Sequence, residues 1–129
     1  MNLLFIHNNF PGQFLELAPF LAKQTASRTV FLTESENPQG IDLAGVELVT
    51  FVPHRQPAEG VHVYLRPSEE AVLRGQAVLR ALLQLSEEGF IPDVAVVHGG
   101  EGFGLYLKTL LPKLRLISYM EWYFHPETS

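Results

Sequence analysis

The sequence has no cysteine among its 129 residues, which removes disulfide frameworks, thiolate metal sites and thiol nucleophiles at once. Positive charge is also scarce: Lys and Arg number 9 against 14 Asp and Glu, a formal net charge of −5. A nucleic-acid binder would show a basic face, so nucleic acid is not an expected partner. No uncharged apolar run approaches the roughly 18 residues of a membrane span, so no transmembrane segment is expected. The first seven residues, MNLLFIH, lack the basic start of a signal peptide. Neither H-x-H nor H-E-x-x-H occurs among the 5 histidines, and no G-x-S-x-G elbow is present, so a metal site and a serine hydrolase both lack support. Internal repeats and low-complexity tracts are absent as well. What remains is an ordinary globular composition, 47% hydrophobic and 18% charged, of a length that fits one domain.

The period of the apolar residues switches repeatedly. Short apolar runs at 2–7, 28–33, 45–52, 94–98 and 114–119 read as strands. Between the first two, Phe14, Leu17, Ala18, Leu21 and Ala22 form one helical stripe, with Pro19 expected to kink or divide it. The best-specified helix is predicted over 68–88. Pro67 and Ser68 mark its start, Glu69 and Glu70 lie in the first turn, and Gly89 terminates it. Its apolar face is read as Ala71, Val72, Gly75, Val78, Leu79, Leu82 and Leu83, with Glu70 and Arg74 paired on the wet side. A shorter helix is expected over 103–111. Strands alternating with helices imply an α/β, Rossmann-like, mainly parallel sheet of about five strands with helices on both faces.

In such a sheet, ligands bind beyond the carboxyl ends of the strands. His7, Asn8 and Asn9, then Glu34, then His98 and Glu101, then Glu121 all follow their strands. They would gather along one edge, where stability alone does not require polar residues. The most informative stretch is the buried-strand signal 94–98 followed by Gly99, Gly100, Glu101, Gly102, Phe103 and Gly104. Two readings of these glycines stand: bare backbone approaching a ligand, or a tight strand-to-helix turn. They match neither the P-loop nor the G-x-G-x-x-G fingerprint. That weakens a dinucleotide reading of Glu34, although a dinucleotide fold places its ribose-binding acid after the second strand. His98 is either a base or hydrogen-bond donor with a pKa in the physiological range, or a histidine closing a strand end in the core. Asn8, Asn9 and Gly12 lie in a loop whose amides suit hydroxyl groups, and asparagine is equally a good turn residue. Trp122, Tyr123 and Phe124 either stack on a sugar ring, cover the core, or pack on a further partner, including a second copy of the chain.

Two stretches, HNNFPGQF at 7–14 and YLRPSEEAVLRGQAV at 64–78, closely resemble the N-terminal domain of a bacterial subgroup of family 4 glycosyltransferases. Pro92-Asp93-Val94, the loop 98–102 and YMEWY at 119–123 continue the similarity in order. The resemblance implies a GT-B enzyme that moves a sugar from a nucleotide-sugar donor to an acceptor with retention of configuration. No cofactor and no metal is implied. This domain would shape the acceptor side, with His98 close to the transferred sugar. His7, Asn8, Asn9, Gly12, Gly99, Gly100, Glu101, Gly102 and Glu121 would contact acceptor or donor. Most donor contacts would belong to a C-terminal GT-B domain carrying an E-x₇-E motif. The sequence ends at Ser129 without that motif, so an acceptor-side half with little activity alone is expected. A stand-alone sugar- or nucleotide-binding module is the alternative, as is a subunit completed by a separate donor-domain protein. The expected location is the cytoplasm, soluble or peripheral at the inner membrane face.

Overall fold

The computed structural model describes residues 1–24, 28–34, 40–99 and 101–120. Five strands form one sheet: β1 (Leu3–His7), β2 (Thr29–Thr33), β3 (Val46–Thr50), β4 (Val94–His98) and β5 (Arg115–Tyr119). Their order is β3-β2-β1-β4-β5, and every pairing is parallel. The expected Rossmann-like α/β sheet is therefore present. The chain builds outward from β1 to β3, then returns to the other side of β1 to place β4. The topological switch point lies between the carboxyl ends of β1 and β4, where open α/β sheets offer a crevice.

Alternation along the strands divides the core into two layers. Leu4, Ile6, Val30, Leu32, Ala95 and Val97 join Val78, Leu82 and Leu85 of the long helix α2 (Arg66–Glu87). On the opposite face Leu3, Phe5, Phe31 and Val96 pack against Phe14 and Ala18. The helical stripe predicted over 14–22 is divided into a 3₁₀ turn, Gly12–Phe14, and α1, Leu17–Gln24. Pro19 falls in the first turn of α1, where its missing amide has no intrahelical partner to lose. The helix predicted over 103–111 shrinks to α3, Leu107–Leu110, because turns occupy the glycine-rich residues before it.

Helix α2 begins slightly earlier than expected, at Arg66, with Pro67 in its first turn as read. Its end is as read. Gly89 takes φ +95°, its amide bonds Ser86 O, and the Phe90 amide bonds Leu85 O, the paired bonds of a Schellman cap. The buried face differs from the predicted one. Leu73, Ala77 and Leu85 are buried, whereas Val72 and Leu83 are exposed. The helix is turned by about one residue's arc, ~100°, so that Leu73 and Ala77 face the sheet. That rotation draws Arg74 toward the interior.

Candidate functional site at the carboxyl edge

The switch point brings two histidines into contact. His7 ends β1, His98 ends β4, and their ring centroids are 4.2 Å apart at a tilt of 34°. Both are buried. His98 is flanked on its other side by Tyr119, at 6.4 Å and 26°, while Phe14 meets the His7 ring edge-on at 5.5 Å. The hydrogen bonds define the His7 tautomer. The Asn9 amide donates to Nδ1 at 2.9 Å, so that nitrogen supplies its lone pair. Nε2 then carries the proton and donates to Gln13 Oε1. His7 is held neutral, with its basic nitrogen already engaged.

Gly12 explains the loop after β1. Its φ is +54°, and a Cβ there would lie 2.6 Å from the His7 ring atoms Cε1 and Nε2. Only glycine lets the backbone lie on the imidazole. Thr33 Oγ1 donates to Asn8 O at 3.3 Å, tying the same loop to β2. Asn8 Oδ1 is buried with no hydrogen-bond partner among the described residues. It is an acceptor that a ligand hydroxyl would satisfy.

The glycines after His98 serve separate ends. The Gly99 amide donates to Tyr119 O at 2.7 Å, and a Cβ on Gly99 would meet Met120 Sδ at 2.1 Å. This amide is engaged by β5 and is not turned toward a ligand, contrary to the expectation of free amides there. Gly102, at φ +89°, lies so close to α2 that a Cβ would stand 2.4 Å from Ala71 O. A Cβ on Gly75 would in turn meet Gly102 O and the Tyr106 ring at 3.0 Å. Helix packing accounts for Gly102 and Gly75.

Glu101 does not join the histidines. Its carboxylate lies 3.6 Å from Arg74 Nη1 on the α2 side. Arg74 Nε donates to Glu34 at 2.9 Å, while Glu70, its predicted helical partner, stands 4.0 Å away. Arg74, Glu34 and Glu70 line a hollow of about 230 Å³ beyond β2 and β3, with Phe51, Pro53 and Arg55 among its walls. A larger hollow of about 880 Å³ opens at the amino end of the strands, beside Met1, Pro92 and Leu114, away from these side chains. Thus His7, His98, Asn8, Asn9 and Gly12 gather at the switch point, and Glu34 and Glu101 gather around Arg74. Gly100, Glu121 and the aromatic residues 122–124 lie outside the described residues.

Arg74, Arg55 and Gln13 carry polar contacts that sequence reasoning did not assign. A signal for Arg74 was present: it shares the i, i+3, i+4 stripe with Ala71, Gly75, Val78 and Leu82. Among the described residues no group of three His, Asp or Glu is placed to hold a metal. No helix there is long and apolar enough to cross a membrane.

The profile of the glycosyl transferase family 4 group matches residues 25–129. The chain belongs to that family. The match covers β2 to β5, so both His98 and the Arg74 cluster lie within the family region. A curated protein named NAD kinase, from Laribacter hongkongensis (strain HLHK9), is 35% identical over 71 residues. That similarity covers 55% of this chain and 24% of that protein, so the chain spans about a quarter of the curated relative it matches.

Proposed function

We propose that this domain forms the acceptor side of a retaining transfer from a nucleotide-sugar, with the reacting sugar seated over the β1/β4 switch point. The observation that carries the reading is the buried His7–His98 contact at 4.2 Å, at the carboxyl ends of β1 and β4. His98, at the end of β4 beside the switch point, is the imidazole assigned to substrate. It polarises a sugar hydroxyl or steadies charge near the anomeric carbon. In a retaining transfer of this kind the departing phosphate assists the incoming hydroxyl, so His98 need not be a strong base. Asn8 Oδ1, buried and without a partner among the described residues, accepts from a ligand hydroxyl. Most contacts to the donor nucleotide come from a further GT-B domain, which leaves this domain alone with weak donor affinity and little turnover.

The name NAD kinase does not compete with this reading, because the match covers 24% of that protein, whereas the family profile covers residues 25–129 of this chain. The test is sugar transfer by the full-length natural protein from a panel of uridine, guanosine and adenosine diphosphate sugars. Transfer with retained anomeric configuration is expected. Inverted product, or phosphorylation of a dinucleotide in its place, would overturn the proposal.

A further inference from the structure

The amino end of the sheet, opposite the histidines, carries two adjoining concavities of different chemistry. A narrow slot of about 200 Å³ lies between the last turns of α2 and α3, walled by Leu82, Phe90, Leu110 and Leu111. Leu82 and Phe90 are fully buried and give it a floor. Ser86 is the polar residue of these walls, and its hydroxyl donates to Leu83 O at 2.7 Å within its own helix. The slot is therefore fitted to hydrocarbon. Ile91, Pro92 and Leu111 also line the hollow of about 880 Å³ beside it. That hollow bears Lys113 and Arg115, both exposed and neither with an ion-pair partner among the described residues. The carboxylate on its wall, Asp93, already accepts the Asn2 amide at 2.7 Å. Lys108 Nζ donates to Pro112 O at 2.9 Å and to Leu114 O at 2.7 Å, so the carbonyls nearby are engaged as well. A local excess of cation on a chain of net charge −5 singles this end out.

We infer that this end binds one anionic single-chain amphiphile, a fatty acylate, with its tail in the slot and its carboxylate at Lys113 and Arg115. A cationic head would meet two like charges, and a neutral head would leave both unpaired. A small anion without a tail would forgo the apolar walls, where each buried methylene adds affinity. The slot is smaller than the ~300–1,000 Å³ of drug-sized pockets, which limits it to one chain. A bilayer is the poorer match, because the apolar walls are concave and an anionic leaflet repels a chain of net charge −5. The five residues of β4 separate this place from His98 by roughly 13 Å. The site is thus distinct from the switch point, and nothing in it depends on the glycosyl-transfer reading.

The experiment is titration calorimetry of the full-length natural protein with octanoate, decanoate and dodecanoate, each below its micelle concentration. Decanol and decyltrimethylammonium serve as the neutral and cationic probes. Affinity is expected to rise about threefold for each added methylene, with decanol and decyltrimethylammonium at least about fivefold weaker than decanoate. Reversing the charges together, Lys113→Glu with Arg115→Glu, should weaken decanoate about tenfold or more. Ile91→Asp, at a position 55% exposed where the fold does not depend on it, should weaken it about as much. Affinity that does not change with chain length would overturn the slot, and equal binding of the cationic probe would overturn the anionic head. Unaltered binding by both variants would place the ligand elsewhere and overturn the site. Binding to phosphatidylglycerol vesicles with none to the free acylates would overturn the single chain in favour of a membrane surface. None of these failures touches the transfer reading, which is decided separately by product formation from nucleotide-sugars.

Discussion

The two sides of the carboxyl edge solve opposite problems within one loop's reach of each other. On the α1 side, two imidazoles lie among Phe14, Tyr119 and the Gly12 backbone. On the α2 side, Arg74 is ringed by three carboxylates. The first arrangement fixes one ring in one tautomer through close contacts. The second holds charge at partial burial through mutual opposition. The difference shows that polar residues following parallel strands need not form one cleft. The sheet separates them by face, and the glycine loop after β4 feeds both: His98 to one side, Glu101 to the other.

The largest expected effect separates the two loops. Gly102→Ala places a Cβ 2.4 Å from backbone Ala71 O, at a φ of +89°. Neither helix nor loop can yield cheaply, so a loss of about 2–4 kcal/mol is expected in urea denaturation. Gly12→Ala presses on the His7 ring, a side chain and not backbone, and should cost less, about 1–2 kcal/mol. It should also disturb the His7 ring resonances, which Gly102→Ala should leave in place. A larger loss for Gly12→Ala would mean that the histidine side is the more rigid of the two.

Next in size is the charged cluster. Arg74→Leu leaves Glu34 and Glu101 facing each other without a cation. After discounting for solvent at these partly exposed side chains, the cost should be about 1–2 kcal/mol. Glu70→Gln should change stability by less than about 0.5 kcal/mol, since its 4.0 Å contact is the loosest of the three. Equal effects would show that the helical pair, and not the bond to Glu34, holds Arg74.

The smallest effect is one of pH. A hydrogen bond from Arg55 holds the Glu69 carboxyl below its ordinary value; desolvation opposes this, and the Ala58 amide adds to the lowering. A folded-state value below the unfolded one contributes stability above the unfolded value. That contribution is lost as pH falls through the folded value. In a carboxyl NMR titration Arg55→Ala should return Glu69 toward the usual carboxylate range, and an unchanged midpoint would remove Arg55 as the cause.

Much of this fold was legible because strand signals are local. The run 94–98 is β4 residue for residue, and Gly89 ends α2 as its position predicts. What was not legible depends on the partner of each surface. Leu73 and Leu83 are the same residue type on one helix, and which of them is buried depends on how α2 rolls against the sheet. Arg74 was read as solvent-facing for the same reason. At the candidate site, convergence of His7 and His98 followed from topology once the sheet was parallel. The engagement of the Gly99 amide by Tyr119 and of Gly102 by Ala71 did not, because it depends on distances between elements remote in sequence.

The central claim is that the imidazole at the switch point acts on the reacting sugar, and steady-state transfer by the full-length natural protein carrying His98→Ala tests it most directly. A fall in kcat of about 100-fold or more with donor KM nearly unchanged is expected. An unchanged kcat would contradict the claim and leave His98 as a residue that only closes the end of β4.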